Sequence, residues 1–173
     1  MKTKIIIMSL FVLLSTSGHG SEVKAIKTIK KLGMSLKTEL KNAMKISSQE
    51  AMKVCNTQAD KITIASNTDL IKVGRVSEKN RNPQSFPKKW MVDGIKKLKA
   101  GKVKKPYIVV KVSSNKMGLL KSISTQPVCL KCHGSNINPQ VLKQITSLYP
   151  EDKAVGYKLG DIRGYFWAEW ELK

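Results

Sequence analysis

The stretch Cys129-Leu130-Lys131-Cys132-His133 constrains this chain more than any other. A C-x-x-C-H run is the attachment signature of a c-type haem. Two thiols separated by two residues can each add to one vinyl group of a single porphyrin. The histidine that follows is then held beneath the ring, where its imidazole can ligate the iron. Covalent attachment keeps such a cofactor in place even in a small protein outside the cytoplasm, and the chain then tunes it through axial ligand, burial and hydrogen bonds.

Other chemistries use the same pair. A C-x-x-C can be a redox dithiol or half of a zinc site. Structural zinc takes four ligands, and the only further thiol and imidazole are Cys55 and His19. A Cys55/Cys129/Cys132/His133 cage can be counted, but adjacent Cys132 and His133 would have to bend onto one small ion. A non-haem dithiol protein would not require His133. The haem reading accounts for all three residues of the motif.

The N-terminus fits an exported protein. Lys2 and Lys4 form a basic region, Ile5 to Leu14 an apolar one, and Ser15 to Gly20 a small, polar run. Residues 1–20 therefore read as a secretory signal peptide, with the mature chain beginning near Ser21. The apolar run falls well short of the roughly 20 residues that a membrane span needs. Export places the protein in the periplasm, which is where haem of this type is attached in bacteria.

The remaining residues, 21–173, suit one domain. A hydrophobic content of 41% can build a core, while the formal net charge is +20. Lysine supplies nearly all of that charge; the only arginines are Arg75, Arg81 and Arg163. In a cytoplasmic protein such a balance suggests nucleic acid. Behind a signal peptide it points instead to acidic redox or signalling partners, or to an anionic membrane surface, with a merely solvated lysine face as the plain alternative. The densest basic stretch, Lys88 to Lys105, holds eight lysines and one acid, Asp93.

Periodicity then orders the chain. From Glu22 to about Ile46, Ile26, Ile29, Leu32, Leu36, Leu40 and Ala43 recur at helical spacing, with Lys27, Lys30, Lys37, Lys41 and Lys45 on the other faces. Gly33 interrupts this helix at a cost of roughly 1 kcal/mol against alanine. Ser47-Ser48-Gln49-Glu50 reads as a capping box opening a second helix through about Ile62. On it Ala51, Cys55 and Ala59 share a face, so a bulky flat group could approach the thiol closely. Leu70 to Val73 is a short strand, and the run from Gly74 to Phe86 is turn-rich. Pro87 starts a helix with Trp90, Met91, Ile95 and Leu98 inward. Tyr107 to Val112 and Gly118 to Val128 are antiparallel strands, Pro139 to Leu148 is a helix, and Ile162 to Leu172 is a half-buried strand. In that last strand Phe166, Ala168, Trp170 and Leu172 face in, while Glu169 and Glu171 face out. Helices followed by a helix-flanked antiparallel sheet give an α+β domain.

Four blocks carry a family likeness. They are Ala51-Met52-Lys53-Val54-Cys55; Gly74-Arg75-Val76-Ser77 with Arg81-Asn82-Pro83; Cys129 to Gly134; and Tyr149-Pro150-Glu151-Asp152-Lys153-Ala154 through Gly156-Tyr157 and Gly160 to Gly164. In this order they resemble the PAS-like single-haem c-type proteins, long catalogued as a domain of unknown function and found alone or as periplasmic sensor inputs. Val76 departs from the family's usual threonine, and Tyr165, Phe166 and Trp167 are unusually bulky. The resemblance implies a five-stranded PAS-like sheet with long N-terminal helices and haem between sheet and helices. It also implies that Cys55 can be the second axial ligand opposite His133.

The residues themselves leave that second ligand open between Cys55 and Met117, the methionine nearest the haem segment; Met34, Met44, Met52 and Met91 read as core. Arginine's planar fork suits carboxylates better than lysine does. At least one of Arg75, Arg81 and Arg163 is therefore expected on a haem propionate, or else in an ion pair with Asp152 or Asp161. The likeness suggests a redox or small-ligand haem sensor. A chain without an output domain suggests a small electron-transfer cytochrome, and a non-haem dithiol protein is a remote third. No Ser/His/Asp set, carboxylate pair or phosphate loop marks an enzyme.

Overall fold

The computed structural model of the protein describes residues 17–172. The expected signal peptide lies outside them, except for its last four residues. These open the first helix, α1 (Ser17–Ile46). Ser47 caps α2 (Ser48–Thr57) by accepting the Glu50 amide proton at 3.0 Å. The single second helix expected from the sequence is broken at Gln58, and α3 (Ala59–Ala65) follows. The Thr57 hydroxyl donates back to the Lys53 carbonyl at 3.0 Å, a contact that bends helices.

The sheet has four strands among the described residues: β1 (Ile71–Val76), β2 (Tyr107–Ser113), β3 (Lys116–Ser124) and β4 (Ile162–Glu171). All pairings are antiparallel, in the order β1-β4-β3-β2. The family likeness implies five strands, so the sheet is one strand smaller. Helix α4 (Val92–Lys99), preceded by a 3-10 turn at Lys89–Met91, lies between β1 and β2 in the chain. The short α5 (Leu130–His133) and then α6 (Pro139–Leu148) lie between β3 and β4. Asn138 caps α6 through the Gln140 amide at 2.9 Å, and Pro139 occupies its first turn. The α+β reading holds, with a four-stranded antiparallel sheet behind a long N-terminal helix.

Both faces of the sheet are covered. Ala25, Ile29 and Leu32 of α1 pack with Ile71, Val73, Leu119, Ala168 and Trp170 on one face. Met91, Ile95 and Leu98 pack with Val76, Leu120 and Tyr165 on the other. β4 is thus buried on two sides rather than half-buried. Glu169 does not face water freely: it accepts the Trp90 indole proton at 2.9 Å and an ammonium proton of Lys88 at 2.8 Å. Leu172 falls outside the strand and is exposed.

Two glycines explain how a strand with such large side chains fits. A Cβ at Gly74 would lie 2.5 Å from the Trp167 indole, its register partner, and one at Gly33 would lie 3.3 Å from the Phe166 ring. The glycine in the middle of α1 therefore leaves room for the Phe166 ring of the sheet against the helix. Gly74 continues a strand where a turn-rich run is expected to begin, and so carries Arg75 into the sheet.

Among the methionines, Met52 and Met91 are buried as expected, whereas Met34 is exposed. Met117 packs against the α1 core at the start of β3. The strand then runs away from it toward the haem motif for roughly 20 Å. No described helix is long and apolar enough to cross a membrane.

Candidate functional site

A 3-10 turn over Pro127–Cys129 runs directly into α5, so Cys129 and Cys132 stand one helical turn apart. Cys129 is half-buried and accepts the Gln126 amide proton at 3.4 Å. Cys132 is buried beside Met52, Val141 and Ile145, and that burial pushes its thiol pKa up, against the opposing pull of Arg81. The turn ends at Gly134, where a Cβ would lie 2.6 Å from the Leu130 carbonyl oxygen.

His133 is fixed by the segment after α6. Its Nδ1 lies 2.6 Å from the Ala154 carbonyl oxygen. A carbonyl only accepts, so Nδ1 carries the proton and Nε2 keeps its lone pair. The Tyr157 amide donates to the His133 carbonyl at 2.9 Å and the Gly156 amide to that of Gly134 at 3.0 Å. Gly156 makes this strap with a φ of +74°, which other residues rarely adopt. The Tyr157 ring meets the imidazole edge-on at 6.3 Å, and its hydroxyl is held against Ser77 and the Lys79 and Arg163 carbonyls. Burial first, then the charges of Arg163 and Arg81, hold the His133 pKa well below the usual imidazole value, outweighing the Ala154 bond. The ring is neutral, which is the form that ligates a metal.

Cys55 lies on α2, which packs against both α5 and α6. It is exposed, yet enough protein surrounds it that burial raises the thiol pKa despite the nearby charges of Arg75, Arg81 and Arg163. The same three arginines act on His133, so both residues lie near one cluster of positive charge.

The arginines differ in what they hold. Arg75, on β1, has an Nε buried without a partner, and burial works against its charge. Arg163 donates from Nη2 toward His133 Nε2 at 3.4 Å and lies 5.4 Å from the Tyr157 ring centre. Among the described residues neither has a carboxylate within ion-pair distance, whereas Arg81 forms a forked pair with Asp152, with both bonds at 3.1 Å. Of the two acids considered as ion-pair partners, Asp152 is the one used.

The residues fit a c-type haem: two thiols on one turn, a neutral imidazole whose Nε2 lone pair meets only the Arg163 guanidinium at 3.4 Å, and two half-buried arginines without a carboxylate partner among the described residues. The zinc cage countable in the sequence is not assembled. Among the described residues no group of three or more His, Cys, Asp or Glu side chains could hold a metal ion. Ala154 and Tyr157 were legible only as part of a family-like block. Nothing in the sequence distinguishes a residue that works through its backbone carbonyl.

Comparison with known proteins agrees with this geometry. A model of Tll0287-like proteins matches residues 19–168. The crystal structure of the cyanobacterial heme-protein Tll0287 matches with a TM-score of 0.60 and 23% identity, covering 90% of this chain and 95% of that one. No curated protein matches. The resemblance read from the four sequence blocks is borne out: the chain belongs to the Tll0287-like family.

Proposed function

We propose that this chain is an exported c-type haem protein that senses redox state or a small ligand. The observation that carries the reading is His133, locked through Nδ1 to Ala154 so that Nε2 carries the lone pair a metal needs, immediately beside the paired thiols. Cys129 and Cys132 would each add S–H across one vinyl group, forming a thioether, with the proton passing to the neighbouring carbon. The haem so held supplies an iron that cycles between two oxidation states. His133 would hold the iron through Nε2, and Cys55 would be the second ligand. Arg75 and Arg163, which lack carboxylate partners, are the cations available to its propionates; Arg81 is already engaged by Asp152. With His133 given to the iron, binding is favoured over catalysis, and haem attachment of this kind supports a periplasmic location.

The test is mass spectrometry of the denatured protein, produced in a host that matures c-type cytochromes. The expected mass is the chain from about Ser21 plus one haem. A chain free of haem from that host sinks the proposal.

Small-molecule sensing and electron carriage differ in what happens at Cys55. A sensor's reduced form binds carbon monoxide with loss of the thiolate ligand, whereas a carrier's stays six-coordinate and resists it. The electron-carrier reading has its own support in the lysines of residues 88–105, all eight of which are exposed. Lys88 and Lys99 pair with Glu169 and Glu78, while Lys89, Lys97, Lys102 and Lys104 have no acidic partner among the described residues. Reversing these four to glutamate should slow reduction by an acidic donor protein at low salt and abolish the salt dependence. Rates unchanged by reversal and by salt would leave the charge as a solvated face.

A further inference from the structure

Arg81 is almost fully buried, at 9% exposure. Its guanidinium holds four groups that belong to different parts of the site. Nε and Nη2 fork onto Asp152, and Nη2 also donates to the Cys132 carbonyl at 2.7 Å and approaches the Ala154 carbonyl at 3.4 Å. Nη1 donates toward the Met52 sulfur at 3.5 Å. Asp152 in turn accepts the Ala154 amide proton at 2.9 Å.

These contacts have one thing in common. Met52 is on α2, one turn before Cys55. Cys132 is the residue before His133. Ala154 supplies the carbonyl that takes the His133 Nδ1 proton. We propose that the Arg81–Asp152 pair is a positioning device that sets His133 and Cys55 against each other across the haem. The inference rests on the haem reading above and adds to it a function for a pair that would otherwise count as a buried structural bridge.

The physical argument is geometric. A bidentate arginine–carboxylate pair fixes the guanidinium plane, which leaves the remaining donors pointing in set directions. Lysine cannot reproduce this, since a single ammonium cannot reach two carbonyls, a sulfur and a carboxylate at once. The Ala154 carbonyl, moreover, is shared between a cation and the imidazole. Partners of this kind around a metal ligand govern its orientation and basicity, and their loss typically weakens ligation about 10–100-fold.

The experiment uses haem-loaded Arg81→Lys and Asp152→Asn, with titration by free imidazole and electron paramagnetic resonance of the ferric form. Asp152→Asn keeps shape and one acceptor for the Ala154 amide; Arg81→Lys keeps the charge. With native ligation weakened, imidazole should bind about tenfold or more tightly than to the parent protein. The ferric g values should shift, and the double variant should be no worse than Arg81→Lys alone. Removing the exposed Lys99–Glu78 pair, 3.0 Å apart, should change none of these. Imidazole affinity and g values at parent levels, with only thermal stability lowered, overturn the proposal. Failure of both variants to fold overturns it as well, since the pair then serves the fold rather than the ligands. A parent protein without covalent haem refutes instead the reading on which the proposal stands.

Discussion

Cys55→Ala raises the midpoint potential of the haem-loaded protein on the order of 0.1 V or more, within the roughly 0.8 V that axial ligands command. The ferric spectrum moves from low spin toward high spin. A thiolate places a full negative charge on the iron and favours the ferric state. Arg75 and Arg163, whose charges bear on this residue and which have no carboxylate partner among the described residues, favour the ferrous state, while Arg81 is neutralised by Asp152. Removing the sulfur takes away the negative charge that offsets the two, so both changes act in the same direction. The variant is also a clean one. Cys55 is exposed, so truncation removes little packing, and a fall in the thermal midpoint of the haem-loaded form would report the lost bond to the iron. Unchanged potential and spin state would reduce Cys55 to a spectator. Met117 could not then take its place, because it lies at the far end of β3, within the α1 core.

The second large effect is on stability. Gly74→Ala would ordinarily strengthen a strand by roughly 0.5–1 kcal/mol, because glycine is the more flexible residue when unfolded. Here the new Cβ would stand 2.5 Å from the Trp167 indole. That ring cannot simply swing away, since the Lys88 ammonium covers it at 4.2 Å from its centre. Overpacking of this kind costs about 1–3 kcal/mol, which outweighs the propensity gain. Thermal unfolding should fall by about 2–4 °C for each kcal/mol in a chain of this size. The pairing predicts its own rescue: Gly74→Ala combined with Trp167→Leu should be more stable than the sum of the two single changes. Stability at or above the parent for Gly74→Ala alone would show that β1 and β4 can separate without penalty. Because Arg75 is the next residue, the substitution should also disturb a cation that acts on Cys55 and His133.

How much of this could be read beforehand depends on the range of the interaction. The α1 helix, the Ser47 cap, the Pro139–Leu148 helix and the β2–β3 pair follow local rules of spacing, capping and alternation, and were legible. The thiols and imidazole of the haem motif were legible for the same reason, being contiguous. The split at Gln58 depends on one hydroxyl bond. The strand through Gly74 depends on a tryptophan 93 residues later, its register partner. Two-sided burial of β4 depends on α4 lying across the sheet from α1. The three arginines stood out as rare in a lysine-rich chain, but only the folded arrangement separates Arg81, paired with Asp152, from Arg75 and Arg163.

The two proposed axial residues enclose most of the sheet: β1, α4, β2 and β3 all lie between Cys55 and His133 in the chain. A haem bonded to both therefore acts as a cross-link closing a loop of roughly 80 residues, for which the chain-entropy model gives about 4–5 kcal/mol of stabilisation. Breaking the bond to Cys55 reopens that loop while the thioethers keep the haem in place. On the proposed ligation, a change of iron state that breaks this bond would lower the stability of the sheet, and would be read as faster amide exchange far from the metal.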